Sequence, residues 1–254
     1  MIKVDNITKS FGKDEILKGI SASFEKGKTN LVIGRSGSGK TVMLKCMVGL
    51  FTPNSGEIFF EDKAISKMNS EEHRELREDT GMLFQGGALF DSMNIEENVM
   101  FPLRMFSNKK RPEMIDRVNE VLKRVDLENV NKKFPSEISG GMKKRVSIAR
   151  AIVNSPKYLF CDEPNSGLDP KTATLIDQLI QDITKENNIT TVVVTHDMNS
   201  VMEIGENIVF LKNGKLVWQG SNQEIFKTDN EDITDFVYSS DLFKKIRNIQ
   251  INEQ

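Results

Sequence analysis

The sequence Gly34-Arg35-Ser36-Gly37-Ser38-Gly39-Lys40-Thr41 decides the fold of this chain. It matches the pattern G-x-x-x-x-G-K-[ST] at all of its fixed positions. Residues 28–33 before it predict a strand that enters a core, and residues 42–48 after it predict a helix because they contain neither Gly nor Pro. A strand, a glycine-rich loop and a helix in this order predict a phosphate-binding loop, called here the phosphate loop.

The chemistry of a bound phosphate explains each fixed position of the phosphate loop. Glycines let backbone N–H groups turn inward around an anion, and the N-terminus of the following helix adds partial positive charge. Lys40 is expected to reach the β- and γ-phosphates of a bound nucleotide, and the Thr41 hydroxyl to ligate Mg²⁺. A glycine-rich turn without a ligand is the alternative, but such a turn does not require Lys-Thr at its end.

Length, charge and cysteine content set limits on the kind of protein. The 254 residues can bury the core of one large domain with a subdomain. A formal net charge of −2 gives no argument for nucleic-acid binding. Cys46 and Cys161 lie far apart without CxxC spacing, which indicates neither a disulfide framework nor a zinc site and favours a reducing cytosolic compartment. We find no secretory signal and no apolar run of the ~18–20 residues that a membrane span needs, so a membrane role is expected only through a partner.

Hydrophobic periodicity predicts an α/β fold with a helical insertion. Strand patterns occur before residue 86 and after residue 154, whereas residues 111–125 carry apolar side chains at helical spacing. Strands that alternate with helices predict a mainly parallel sheet with crossover helices. In the strand predicted over residues 15–24 the expected buried side chains are Ile16, Ile20, Ala22 and Phe24. After residue 220 two helices are predicted, and the apolar side chains that can pack back are Phe226, Phe236, Val237, Leu242, Phe243 and Ile246.

Two carboxylates follow the apolar strand predicted at residues 158–162. Asp162 is expected to hold Mg²⁺ through a water molecule and to complete the shell that Thr41 begins. Glu163 is expected to polarise the attacking water, because phosphoryl transfer depends mainly on positioning and charge stabilisation. A polar strand end before the turn at Pro164 is the alternative, and the phosphate loop makes it the weaker interpretation.

Gln85 and His196 also follow predicted strands. Gln85 ends the strand at residues 81–84, and its amide can contact Mg²⁺ or the attacking water without adding charge. His196 follows the buried strand at residues 190–195, where a neutral imidazole can contact the γ-phosphate and orient the catalytic carboxylate. Each residue alone is more often structural or exposed, so the argument rests on their order along the chain.

Ser139-Gly140-Gly141, called here the signature turn, precedes an apolar-patterned helix. A Ser-Gly-Gly sequence at a helix start is a second candidate anion site. Because one phosphate tail does not usually need two cradles, the signature turn is predicted to face the nucleotide of a second copy of the chain. An ordinary helix start is the alternative for these three residues alone.

The order of phosphate loop, glutamine, Ser-Gly-Gly, Asp-Glu and histidine resembles the ATP-binding subunits of ABC transporters over residues 1–220. The resemblance implies a P-loop NTPase (RecA-like) α/β core, an antiparallel β subdomain and a helical subdomain inserted at about residues 86–154, followed by an extension at 221–254. It also implies a head-to-tail homodimer that closes two ATP molecules between the phosphate loop of one copy and the signature turn of the other. Phe11 matches the aromatic residue that stacks on adenine, and Asn165-Ser166-Gly167-Leu168-Asp169 matches the segment that joins the two sites, with Asp169 contacting ATP in trans.

Two departures from the family pattern occur in and beside the signature turn. Met142 replaces the usual glutamine, and Ile138 replaces a common leucine. Hydrolysis is still expected, because backbone amides and Ser139 supply most of the anion binding.

Further details resemble the Mla/Mce-type phospholipid transport ATPases. They are Phe84-Gln85-Gly86-Gly87-Ala88-Leu89-Phe90, the signature turn followed by Met142, and the Met/Phe-rich residues 98–104. The expected function is therefore ATP hydrolysis that powers lipid transport between membranes. Alternatives are an ABC ATPase for an amino acid or a drug, and an ABC protein without a transport role.

The same resemblance implies the partners and the place of work. Two integral-membrane permease subunits are expected, and the Met/Phe-rich patch is where a permease helix is predicted to dock. A substrate-binding lipid carrier and a small regulatory subunit are further expected partners, and nucleic acid is not. The protein is expected at the cytoplasmic face of the inner or plasma membrane as a peripheral subunit.

Overall fold

The computed structural model describes residues 1–238, which form two sheets and a group of helices. The strands are β1 (Ile2–Phe11), β2 (Asp14–Phe24), β3 (Thr29–Ile33), β4 (Ser55–Phe60), β5 (Lys63–Ala64), β6 (Thr80–Leu83), β7 (Tyr158–Asp162), β8 (Thr190–Thr195), β9 (Asn207–Lys212) and β10 (Lys215–Gly220). The helices are α1 (Lys40–Met47), α2 (Ser70–Glu78), α3 (Ile95–Phe106), α4 (Arg111–Arg124), α5 (Gly140–Ile152), α6 (Pro170–Glu186), α7 (Met198–Ile204) and α8 (Glu231–Val237).

The larger sheet has the strand order β10-β9-β3-β8-β7-β6. All neighbouring pairs are parallel except the edge pair of β10 and β9. Every residue of β3, β7 and β8 is buried, as expected for parallel strands that are covered on both faces. Because the carboxyl ends of β3, β6, β7 and β8 lie at the same edge, the loops that follow them meet there. The predicted α/β fold is confirmed.

The smaller sheet has the order β2-β1-β4-β5 and is antiparallel throughout, as predicted for the β subdomain. One prediction within it is wrong: Leu17 is fully buried, whereas Ile16 is only half-buried. The register of β2 against β1 shifts between Lys18 and Ile20, so that Gly19 is an extra residue with a φ of 76°. This bulge reverses the inward and outward faces before Ile20, and the simple alternation of the sequence could not reveal it.

Helices α3, α4 and α5 pack against one another and form the inserted helical region. The helix predicted over residues 111–125 is α4, and its buried residues are Val118, Val121 and Leu122. Helix α3 begins at a capping box in which Asn94 and Glu97 bond to each other's backbone N–H groups. The boundaries 86–154 for the helical subdomain stay a prediction.

The first part of the predicted C-terminal extension packs onto the larger core. Helix α8 buries Ile233, Phe236 and Val237, and Ile225 before it is also buried. Phe226 packs against the same core as a partly buried side chain. Leu242, Phe243 and Ile246 lie outside the described residues. The division of the chain at residue 221 stays a prediction.

Both cysteines are buried as free thiols. Burial raises the pKa of the Cys46 thiol to about 11 and the pKa of the Cys161 thiol further still. Among residues 1–238, no helix is long and apolar enough to cross a membrane.

Candidate active site

The phosphate loop connects the end of β3 to the start of α1. Gly34 has a φ of 149°, and a Cβ atom there would lie 2.2 Å from the backbone oxygen of Leu211. Gly39, with a φ of 102°, is the N-cap residue of α1. Only glycine combines these backbone angles with such close packing, so the fixed glycines hold the loop against β9 and the helix start.

Lys40 is buried inside the phosphate loop. Its Nζ donates to the backbone oxygens of Gly34, at 2.9 Å, and Arg35, at 3.2 Å. Burial lowers the pKa of Lys40, and the negative charges of Glu163 and Asp162 oppose that shift. The ammonium group therefore lies at the centre of the loop. A bound anion would take the place of its two neutral carbonyl partners and form a charge-assisted hydrogen bond with it.

Thr41 and Asp162 place two oxygen atoms together at the carboxyl edge of the sheet. The Thr41 hydroxyl donates to Asp162 Oδ1 at 3.1 Å. Burial raises the pKa of Asp162, the hydrogen bond from Thr41 opposes the shift and the charge of Glu163 adds to it. An alcohol and a carboxylate are ligands that Mg²⁺ accepts together with phosphate oxygens. The buried hydroxyl of Ser38 has no hydrogen-bond partner within residues 1–238, as expected where a polar ligand is bound.

Glu163 and His196 form a second pair of side chains in contact at this edge. His196 Nδ1 lies 2.9 Å from Glu163 Oε1 and 2.8 Å from its Oε2. The Glu163 side chain is only 13% exposed, whereas that of His196 is 68% exposed. At this edge the Glu163 carboxylate is thus largely enclosed, whereas the His196 imidazole is largely exposed at the rim.

Gln85 follows β6 at this edge, whereas Phe11 belongs to the smaller sheet. Gln85 is exposed just after β6, the strand next to β7. Phe11 ends β1 with its ring 44% exposed and its centroid 5.2 Å from that of Phe51, edge to face. The Lys9 ammonium lies 5.2 Å from the Phe11 centroid. The structure thus gives Phe11 a fixed and accessible ring, and it shows no direct bond from Gln85 to Thr41 or Asp162 among the described residues.

The signature turn lies in a separate cavity of about 530 Å³. Ser139 is the N-cap residue of α5 and accepts from the backbone N–H of Met142 at 3.3 Å. Asp169 lines the same cavity and caps α6 by accepting from Thr172. No residue of the phosphate loop lines this cavity among residues 1–238. The two predicted parts of a nucleotide site therefore lie apart within one chain.

Comparison with known proteins identifies the family. A sequence model of the family described as ABC transporter matches residues 17–166, more than half of the chain. The chain belongs to the ABC transporter family. It is an ATPase of that family, in agreement with the ATP site predicted from the phosphate loop, and solved relatives include a cassette bound to ADP and Pi.

Curated relatives of this ABC ATPase carry different names. A methionine import ATP-binding protein MetN of Clostridium tetani is 41% identical over 95% of this chain and 76% of its own length. The probable ribonucleotide transport ATP-binding protein mkl of Mycobacterium tuberculosis is 40% identical over 93% of this chain and 66% of its own length. The ABC ATPase therefore spans about two thirds to three quarters of these relatives.

Solved structures similar to the ABC ATPase include the following two. The dimeric structure of MJ0796, a bacterial ABC transporter cassette, has a TM-score of 0.80 and 33% identity, covering 87% of this chain and 99% of that chain. A structure of cbiO1 from Clostridium perfringens, part of the complex cbiONQ, has a TM-score of 0.82 and 30% identity over 98% of both chains. Together these matches confirm the predicted ABC ATPase fold.

Sequence reasoning missed several polar residues of the ABC ATPase that hold the site. Lys144 is buried on α5 and donates to the backbone oxygen of Glu163 at 3.4 Å. Burial lowers the pKa of Lys144, and the negative charges of Glu163 and Asp162 oppose that shift. The sequence signal that could have revealed Lys144 is its place in a helix with an apolar pattern. A second set, Asn165, Asp177 and Ser200, forms a buried network beneath the Glu163–His196 pair.

Proposed function

We propose that this ABC ATPase powers transport through separate membrane permease subunits, and that the cargo is a phospholipid or another lipid. The observation that carries the proposal is one edge of the sheet at which Lys40, the Thr41–Asp162 pair and the Glu163–His196 pair meet. A buried cation, a metal-binding oxygen pair and a carboxylate held by an imidazole are the groups that ATP hydrolysis needs.

Each of these residues has a proposed part in the reaction. Glu163 orients the attacking water, and His196 holds the Glu163 carboxylate and reaches the γ-phosphate. Lys40 neutralises phosphate charge from inside the loop. Thr41 and Asp162, with Gln85 beside them, would hold Mg²⁺, Asp162 through water. Bound Mg²⁺ supplies positive charge that stabilises the phosphate oxygens.

The second half of the site is proposed to come from another copy. The signature turn and Asp169 line a cavity apart from the phosphate loop, which supports a head-to-tail homodimer with ATP between the copies. ATP binding then closes the dimer, and hydrolysis reopens it. The motion passes to two membrane permeases, with the ATPase as a peripheral subunit at the cytoplasmic face of the membrane.

An apolar groove supports the proposed permease contact. It is lined by Met82, Phe84, Phe90, Phe101 and Met105, of which Phe84, Phe90 and Met105 are at least 36% exposed. Met100 belongs to the predicted Met/Phe-rich patch but is buried in the helical region, so it cannot contact a partner directly. Cross-linking from a cysteine introduced at Met105 to a co-purified permease tests the groove, and failure to cross-link would count against it.

Substitution of Glu163 tests the catalytic assignment. Glu163→Gln keeps the size of the side chain but removes its charge and replaces one accepting oxygen with an N–H donor. We expect ATP binding to persist while turnover falls by at least roughly a hundredfold, since a carboxylate that orients water contributes about 10²–10⁴-fold. Steady-state ATPase activity and ATP affinity measure the two effects. Glu186→Gln, on the exposed end of α6, is the control, and near-normal turnover of Glu163→Gln would refute the role.

The cargo has two candidate classes. Sequence details shared with Mla/Mce-type ATPases favour a lipid, whereas the identity to a methionine import ATP-binding protein favours an amino acid. Purification from native membranes, followed by extraction of bound molecules, separates the two. A phospholipid bound to the complex, with ATPase activity stimulated by phospholipid vesicles, supports the lipid. Stimulation of the ATPase activity by methionine instead would replace the lipid with an amino acid as the proposed cargo.

A further inference from the structure

Two separate bonds join the loop that carries Glu163 to the segment that carries His196. The first is the Glu163–His196 contact at the rim. The second lies in the interior, where Asn165 Nδ2 donates to Ser200 Oγ at 3.1 Å. Asn165 follows Glu163 closely in the chain, and Ser200 lies in the first turns of α7, the helix after His196. The same two segments are thus connected once at the surface and once in the interior.

Asp177 of α6 anchors the interior bond. The Ser200 hydroxyl, which accepts from Asn165, donates to Asp177 Oδ2 at 2.7 Å. Asn165 is 9% exposed, Ser200 is 0% exposed and Asp177 is 2% exposed. Asp169, the N-cap residue of α6, lies at the far end of the loop that starts with Glu163. The network therefore fixes the middle of that loop to two helices.

We propose that Asn165, Ser200 and Asp177 are positioning residues that keep the Glu163 carboxylate and the His196 imidazole aligned for ATP hydrolysis. The inference rests on the proposed roles of Glu163 and His196. The Glu163 N–H donates to the Val194 oxygen and so fixes only the start of the loop. Without the interior bond, only this backbone bond and the rim contact would set the separation of the two side chains, one of which is largely exposed.

Stability does not account for this arrangement well. Asn165 Oδ1 and Asp177 Oδ1 are buried without a hydrogen-bond partner among the described residues, and such groups cost free energy. Apolar residues of similar size would often be as stable or more stable in a core. A buried polar network that is incompletely satisfied and lies beneath a catalytic pair is better explained by geometry that the reaction requires.

The same helix offers a matched control. Thr184 of α6 and Thr191 of β8 share a buried hydrogen bond of 2.7 Å between their hydroxyl groups. This pair also links α6 to the sheet, but neither residue lies in the Glu163 loop or beside His196. Thr184→Val removes a buried hydroxyl of comparable kind and is expected to leave turnover unchanged.

Single-turnover and steady-state ATP hydrolysis by the full-length chain test the proposal. Ser200→Ala and Asp177→Ala are expected to lower kcat roughly three- to tenfold, since small misplacements of reacting groups are costly, with a change in KM for ATP below about twofold. Asp177→Asn keeps an oxygen that accepts from Ser200 and should restore most of the rate. Melting temperature, compared with Thr184→Val, separates these effects from unfolding.

A double substitution decides between positioning and general packing. In a His196→Ala background the alignment is already lost, so Ser200→Ala should cause no further loss of the single-turnover rate. An equal loss in both backgrounds, or wild-type kcat for Ser200→Ala alone, would overturn the proposal. If His196→Ala and Glu163→Gln themselves hydrolyse ATP at the wild-type rate, the proposed roles of Glu163 and His196 fail instead. Failure of the positioning proposal and failure of the proposed function therefore give different results.

Discussion

Glu163 occupies an unusual backbone conformation for its residue type. Its φ of 49° lies in the left-handed region, where a residue with a Cβ atom pays a steric cost of about 1–2 kcal/mol. The bond from its N–H to Val194 holds this conformation, and the side chain is thereby directed to His196. The strained backbone conformation of Glu163 thus sets the direction of its carboxylate at the edge of the sheet.

Gly34 allows a prediction about the phosphate loop at the level of one atom. A Cβ atom in Gly34→Ala would overlap the Leu211 backbone oxygen, which cannot move without disturbing β9. We expect a loss of several kcal/mol, about 3 or more, in the free energy of unfolding, as for other severe steric clashes. Urea denaturation without nucleotide is the measurement.

Gly37→Ala is the control for that prediction. Gly37 also has a positive φ, 78°, but a Cβ atom there meets nothing within 4 Å. The expected cost is only the strain of the left-handed conformation, about 1 kcal/mol. Equal losses for the two variants would show that the contact with Leu211 is not what requires glycine at residue 34.

Asp177 predicts a pH dependence of stability. Burial raises its pKa to about 6, hydrogen bonds from Ser200 and Asn165 oppose the shift, and the charges of Asp197 and Glu203 add to it. The unfolded chain releases this proton near pH 3.8, so the folded state is favoured less as pH rises from 3.8 to about 6. Relative to Asp177→Asn, wild type should lose on the order of 3 kcal/mol across that window.

Unfolding by urea at several pH values from about 4 to 7.5 measures this difference, since the window of linkage spans the two pKa values. The difference in unfolding free energy between the two proteins should be constant above the window. A difference independent of pH throughout would contradict a raised pKa for Asp177.

At the scale of elements, a single side chain holds the loop that leads into α3. Asn98 is fully buried, accepts from the N–H of Phe90, and donates to the oxygens of Phe90, Met93 and Asn94. Arg150 of α5 adds bonds to the oxygens of Gly87 and Ala88. The loop between β6 and α3, which borders the proposed permease groove, is therefore held by side chains where it has few backbone bonds.

Asn98→Ala should loosen this loop. Several buried backbone groups would lose their partners, and we expect a loss on the order of 3 kcal/mol in unfolding free energy. Asn94→Ala removes only the N-cap of α3 and should cost about 1 kcal/mol. Urea denaturation compares the two, and faster amide exchange of residues 87–94 should accompany only Asn98→Ala. Equal costs would indicate that the side-chain bonds of Asn98 contribute little.

The elements that the sequence predicted are those whose signals are local. The glycines and Lys-Thr of the phosphate loop, the apolar strand before Asp162 and the helical spacing in α4 each lie within one short segment. Three features are not local. The bulge at Gly19 depends on pairing with β1, the network of Asp177 joins three distant segments, and the burial of Met100 depends on how α3 packs. Such features follow from tertiary contacts that no single segment encodes.

At the scale of the whole molecule, each copy carries the two unlike segments that are proposed to form the halves of a nucleotide site. The phosphate loop lies at the carboxyl edge of the larger sheet, and the signature turn lies in another cavity at the start of α5. A head-to-tail arrangement makes an exact prediction about mixtures of damaged copies, because each composite site needs one half from each partner.

Lys40→Ala and Ser139→Glu should each abolish hydrolysis alone, one by loss of phosphate binding and the other by placing negative charge at the signature turn. In a mixed dimer, the site that combines the intact phosphate loop with the intact signature turn is restored. An equimolar mixture should therefore recover roughly a quarter of wild-type activity if copies pair at random. ATPase activity after mixing is the measurement. Activity that stays at the level of the separate variants would contradict a site shared between copies.

The two buried thiols have a practical consequence for labelling. Since Cys46 and Cys161 are enclosed and their pKa values are raised, neither offers thiolate to a maleimide reagent while the chain is folded. A cysteine introduced at Met105, more than half exposed, would be the single reactive nucleophile for a fluorophore or a spin label. Distances between copies can thus be followed spectroscopically during turnover with both native cysteines left in place.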